Sequence, residues 1–203
     1  ISTLDSTLAA DPSWAALQQG WQRQRAELIR LADSGLSLSG PDNFRAHTAT
    51  IDGLLRWLGE LGDASGLALD PDAASANLIG PLLTTLPELS ERLGQLRARG
   101  TRISARRELS RTDEHAVVAL LAEIGRAEST LLERLHRTAA ANAMLASRIE
   151  GMGQEISAGV AEVRSATGRE LLEQGFGLGS AAFFDLVTRS IDTAVRNFNQ
   201  VLR

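Results

Sequence analysis

Three groups of residues have types and spacings that could do chemistry. Glu133-x-x-His136 places a carboxylate and an imidazole on one helix face, which is half of a di-metal site in a four-helix bundle. Such a site needs a second Glu-x-x-His and two further carboxylates. Histidine occurs only at 47, 115 and 136, so the second copy does not exist. The pair reads as a solvated helix face, and no metal is expected. Gly175-x-Gly177-x-Gly179 has the glycine density of a phosphate loop, but no strand precedes it, so it reads as a corner between helices. Seven arginines, at 92, 97, 99, 102, 106, 107 and 111, share one segment with a single acid, Glu108. They read as a solvated face around a helix end, with the capacity to attract a carboxylate ligand or an acidic patch on a partner. The chain lacks Cys, Lys and Tyr, and no Ser pairs with a His as nucleophile and base. Neither enzyme activity nor a cofactor is expected.

More informative are polar residues where the helical pattern calls for apolar ones. Gln24 interrupts the stripe Trp14, Leu17, Trp21, Leu28, Leu31, and Thr48 interrupts Phe44, Ile51, Leu55, Leu58. Asn77, Thr84 and Thr85 surround Pro81 and Pro87. Each proline frees a carbonyl four residues earlier, at Asn77 and Leu83, so this segment is expected to kink or to split in two. Buried polar groups must find hydrogen bonds. Gln24, Thr48, Asn77, Thr84 and Thr85 are therefore the candidate ligand-binding residues, for a small polar or anionic metabolite. Trp14, Trp21 and Trp57 recur at helical spacing and read as core.

The elements that position these residues are helical. Apolar residues recur at three- and four-residue spacing throughout, and aromatics make up only 4%. The expected fold is all-α: an elongated antiparallel bundle of about six long helices, or two stacked bundle modules, with residues 1–203 acting as one sensor domain. Net charge is −4 and the isoelectric point near 5.5, which argues against nucleic acid as a partner. No apolar stretch approaches the roughly 20 residues of a membrane span.

A corner phrase occurs twice, as Ser34-Gly35-Leu36-Ser37-Leu38-Ser39-Gly40-Pro41-Asp42 and as Ser65-Gly66-Leu67-Ala68-Leu69-Asp70-Pro71-Asp72. The reading is that Gly takes the left-handed position ending a helix, the next Leu packs back on the last turn, and Pro-Asp opens the next helix. Asn142 or the Gly151 to Gly153 stretch could break the long segment after Thr112. Asn142 is preferred, because the break gives an even number of passes and brings both ends to one pole. In the last helix, Phe184, Val187, Ile191, Ala194, Phe198 and Val201 form a heptad seam that meets no stop signal before Arg203. With Ile1 at the other end, the pattern suggests a segment between two flanking pieces. Phe184, Ile191, Ala194 and Phe198 are the candidate signal-relay residues.

Residues 65–100 read SGLALDPDAASANLIGPLLTTLPELSERLGQLRARG. Through Leu69-Asp70-Pro71-Asp72, Leu86-Pro87-Glu88-Leu89 and Leu93-Gly94-Gln95-Leu96-Arg97, this stretch resembles the extracytoplasmic helical sensor regions of bacterial methyl-accepting chemotaxis proteins, a module also found on sensor histidine kinases. A second echo lies in Phe183-Phe184 and Ser190-Ile191-Asp192. The resemblance implies a periplasmic or extracellular ligand sensor between two membrane spans, a homodimer, with a cytoplasmic signalling part beyond Arg203. Alternatives are the input of a histidine kinase or cyclic-dinucleotide synthase, or a structural bundle without a ligand.

Overall fold

The computed structural model describes residues 2–66 and 73–201. Among the described residues there is helix and no strand. The chain divides into two compact units, Ile1–Asp70 and Pro71–Arg203.

The first unit contains α1 (Ser2–Ala9), α2 (Ala15–Ser34) and α3 (Gly40–Ala64). Asp11 accepts the Ser13 N–H at 2.9 Å and opens a short 3-10 turn, Pro12–Trp14, that leads into α2. Ser39 caps α3 by accepting the Asp42 N–H, with Pro41 in the first turn. α2 and α3 lie antiparallel: Gln24 faces Gly53, and the Trp57 indole donates to the Leu17 carbonyl at 3.0 Å. The core of this unit is Leu8, Leu17, Trp21 and Trp57, with the two indoles tilted at 5.4 Å between centroids. Trp21 also donates to Asp5 at 2.6 Å, which ties α1 to α2. The three tryptophans are thus structural, Trp14 packing against this core from its edge.

The first corner departs from the expected motif. Gly35 has φ −56°, in the right-handed region, and starts the 3-10 turn Gly35–Ser37. Its carbonyl accepts the Asn43 amide at 2.7 Å, while Leu36 is 99% exposed instead of packing back. A side chain on Gly35 would press on Leu31, so close approach, and not a left-handed backbone, explains this glycine. At the second corner Gly66 does take φ +65°. The residues after it, 67–72, lie outside the described residues.

The second unit is a four-helix bundle. α4 (Ala73–Gly80) runs through a π-helical segment, Pro81–Thr85, into α5 (Leu86–Arg106). α6 is Arg111–Ala141, α7 is Ala146–Thr167 continued by a second π segment, Gly168–Leu172, and α8 is Ser180–Val201. Cross-helix pairs show each helix antiparallel to both neighbours: Arg92 with Glu123, Ser157 with Glu128, Asn197 with Glu155, Arg97 with Thr188. The order is therefore up, down, up, down, and the start of α4 and the end of α8 share a pole. The core runs the length of the bundle through Leu89, Leu93, Leu96, Ile103, Val117, Ile124, Leu131, Ile149, Ile156, Val163 and Phe183.

The break after α6 falls at Asn142, whose Oδ1 accepts the N–H groups of Met144 and Leu145. Gly151 and Gly153 lie inside α7. The proline segment does not split. Widening the hydrogen bonding to i→i+5, as in Leu86 N–H to the Pro81 carbonyl, absorbs the missing donors within one continuous helix. The Thr84 hydroxyl adds a donor to the Gly80 carbonyl at 2.7 Å.

Candidate functional site

In the first unit the contact between α2 and α3 is filled at one end by the tryptophans and open at the other. α3 presents Ala46, Ala49, Thr50 and Gly53 toward α2, so its surface there is too shallow to close the gap. The result is a cleft of about 430 Å³, lined on the α2 side by Gln24, Glu27, Arg30, Leu31 and Ser34 and closed at its far end by Leu38. Gln24 lies across α3 because Gly53 has no side chain: a Cβ there would stand 2.4 Å from Gln24 Oε1. Arg30 is paired with Glu27 at 2.8 Å, and the Thr50 hydroxyl is taken by the Ala46 carbonyl at 2.9 Å. Arg56 also lines the cleft. Thr48 is half-buried and is not among the residues that line the cleft. The sequence signal for this cavity was the run of small residues at helical spacing, 46, 49, 50 and 53, opposite Gln24.

In the second unit Thr85 is buried and lines a smaller cavity of about 200 Å³ with Glu88, Glu123, Arg126, Ala127 and Thr130. Thr84 is exposed and satisfied by its own helix, and Asn77 is half-buried and engaged. Thr84 serves the helix's own backbone, at the Gly80 carbonyl, and Thr85 stands on the cavity wall.

The arginine segment is bound inward more than its sequence suggested. Arg92 Nε stands 3.1 Å from Glu123 in an ionic contact without hydrogen-bond alignment. Arg99 and Arg102 converge on Asp113 at 3.2 and 2.5 Å. Arg97 lies over the Phe184 ring, 4.6 Å from its centroid, and donates to Thr188 at 2.9 Å. The partners come from the next helices, which is why a count of acids within the segment missed them. Partial burial would raise the Asp113 carboxyl, but the hydrogen bond from Ser110 and the charges of Arg102 and Arg99 together hold it below the ordinary aspartate value. Glu133 is paired with Arg137, His136 is exposed, and among the described residues no three metal-ligating side chains converge. The glycine corner is closed by Glu170, which accepts the Leu178 N–H at 2.7 Å. Gly175 is required there because a Cβ would stand 2.8 Å from the Arg169 carbonyl oxygen.

On α8 the buried stripe is Phe183, Leu186, Val187, Ser190, Ala194 and Asn197. Phe184, expected in the seam, is 42% exposed on the flank beneath Arg97. The reason is steric: α5 offers one aromatic notch, at Gly100, and the Phe183 ring fills it together with Leu171. This rotates the stripe by about one residue and brings Ser190 and Asn197 inside. Ile191 is half-buried against the core, Ala194 is buried, and the side chain of Phe198 lies outside the described residues. The two halves of α8 are held differently. Near its start a large ring is locked into the core; further on, Ser190 packs on Gly159, Asn197 donates to Glu155 at 3.1 Å, and Arg148 donates to the Gln200 carbonyl.

No helix of the described residues is long and apolar enough to cross a membrane. No family model, no curated protein and no solved structure matches this chain.

Proposed function

We propose that this chain is the ligand-sensing extracytoplasmic part of a transmembrane receptor of the chemoreceptor type, and that α8 carries its output. The observation that supports this most is the unequal anchoring of α8. Phe183 in the Gly100 notch fixes the start of the helix, whereas small and polar contacts, Ser190 on Gly159 and Asn197 on Glu155, hold the later turns. Small and polar side chains can exchange partners over a displacement of about 1 to 2 Å without opening a cavity, and interlocked large side chains cannot. The exposed Phe184 and Val195 on α8 favour pairing with a second copy. The same arrangement would serve as input to a histidine kinase or a cyclic-dinucleotide synthase.

The test is Ala194→Leu in the full-length protein in membranes. Ala194 is 1% exposed at the middle of the seam, so the larger side chain overpacks it and biases one register. Output is expected to lock on or off while ligand binding to the isolated chain is retained. Normal output with normal ligand dependence would refute the relay.

A further inference from the structure

From the cleft between α2 and α3 we infer a binding site for a small monocarboxylate with an apolar tail. The inference supplies a ligand class for the sensing role proposed above, yet it stands on the cleft alone.

The cleft is graded along its length. Its inner end, beside the tryptophan core, carries the Gln24 amide and the Arg56 guanidinium; its outer end is walled by Leu31, Leu38, Ala46 and Ala49. The polar groups of the middle, Glu27 with Arg30 and Thr50 with the Ala46 carbonyl, are satisfied within the protein. Among the described residues Gln24 and Arg56 hold no hydrogen bond or ion pair. Two donors left over at one end of a cavity, one of them a cation, select an anion. The planar guanidinium, which can give two parallel N–H donors, suits a carboxylate in particular. Glu27 is neutralised by Arg30, so the net charge of the lining is one positive, matched by one carboxylate and not by a dicarboxylate. A volume of about 430 Å³ lies at the lower end of ligand cavities, and admits a chain of about six heavy carbons with its hydration displaced. Gly53 completes the site by letting Gln24 cross α3 to face the cleft.

Isothermal titration of the whole chain with hexanoate, hexanamide and adipate tests this directly. Hexanoate is expected to bind with a dissociation constant no weaker than ~1 mM, and hexanamide and adipate at least ~tenfold more weakly. Arg56→Gln, at an exposed position, is expected to keep the thermal midpoint of the chain and lose at least ~tenfold in hexanoate affinity. A second variant, Ala49→Leu, fills the apolar end and should weaken hexanoate while leaving acetate unchanged. No heat with hexanoate, equal binding of hexanamide, or unaltered affinity in Arg56→Gln would each overturn the inference. Binding without any effect on output in the full-length protein would instead refute the sensor role and leave the site standing.

Discussion

Adding one methyl group at Gly100 should reveal how tightly α8 is anchored. A Cβ there would stand 2.2 and 2.6 Å from two ring carbons of Phe183 and 3.1 Å from Leu171 Cδ1, and both of those side chains are fully buried. The ring has nowhere to retreat, so Gly100→Ala must push α8 from α5, at an overpacking cost of about 1 to 3 kcal/mol. Against this, replacing Gly by Ala within a helix gains up to about 1 kcal/mol. The net expectation is a loss of ~1 to 2 kcal/mol. Gly94 lies on the same helix with nothing within 4 Å of its Cβ position, so Gly94→Ala should show the gain alone. Urea unfolding followed by far-ultraviolet circular dichroism reads both variants. All three tryptophans belong to the first unit, so their fluorescence reports that unit and serves as an internal reference. In a Phe183→Leu background Gly100→Ala should cost at least ~0.5 kcal/mol less, because the opposing ring is gone. If Gly100→Ala is as stable as Gly94→Ala, the notch does not lock Phe183, and the argument for unequal anchoring falls.

Ser110 accepts the Asp113 N–H at 3.1 Å and caps α6, so Ser110→Ala should cost about 1 kcal/mol of stability at neutral pH, read by urea denaturation. The pKa of Asp113 is depressed in the folded state, so its contribution is fully present above the unfolded value near ~3.9 and fades as pH falls through the lower folded value. The stability gap between the parent and Asp113→Asn should therefore shrink as the pH is lowered below ~4; a gap that stays constant on acidification would show that the carboxylate's charge is not what matters. Trp57→Ala removes one of the two tryptophans of a four-residue core and the hydrogen bond to Leu17, and should cost about 3 to 5 kcal/mol, enough to unfold the first unit. Circular dichroism retaining the helix of α1 to α3 would contradict this.

Helical class and the break at Asn142 were legible because each is written in local chemistry: a periodicity of three and four, and an amide at a helix end. What was not legible depended on partners distant in the chain. Phe183 and Phe184 are equivalent by spacing, and only the Gly100 notch on another helix decides which is buried. Gly35 carries the residue type of a left-handed cap, yet the Asn43 amide satisfies its carbonyl and the backbone stays right-handed. Pro81 and Pro87 signal lost donors without saying whether the helix breaks or widens, and the π segment is the second outcome. Of the candidate binding residues, Gln24 stood out because an amide interrupts an apolar stripe. Arg56 and Leu38 carried no such mark, since membership of a cleft depends on what the facing helix leaves open.

The most direct measurement of the central claim is the distance between spin labels on α7 and α8, with and without hexanoate. The chain has no cysteine, so Gln154→Cys with Arg196→Cys, and Glu162→Cys with Asp185→Cys, label exposed positions uniquely. The first pair spans the turns held by small and polar contacts, and the second lies near the Phe183 anchor. With ligand bound, the first distance is expected to shift by about 1 to 2 Å while the second holds. Two distributions that superimpose in both states, with calorimetry showing hexanoate bound, would contradict the account.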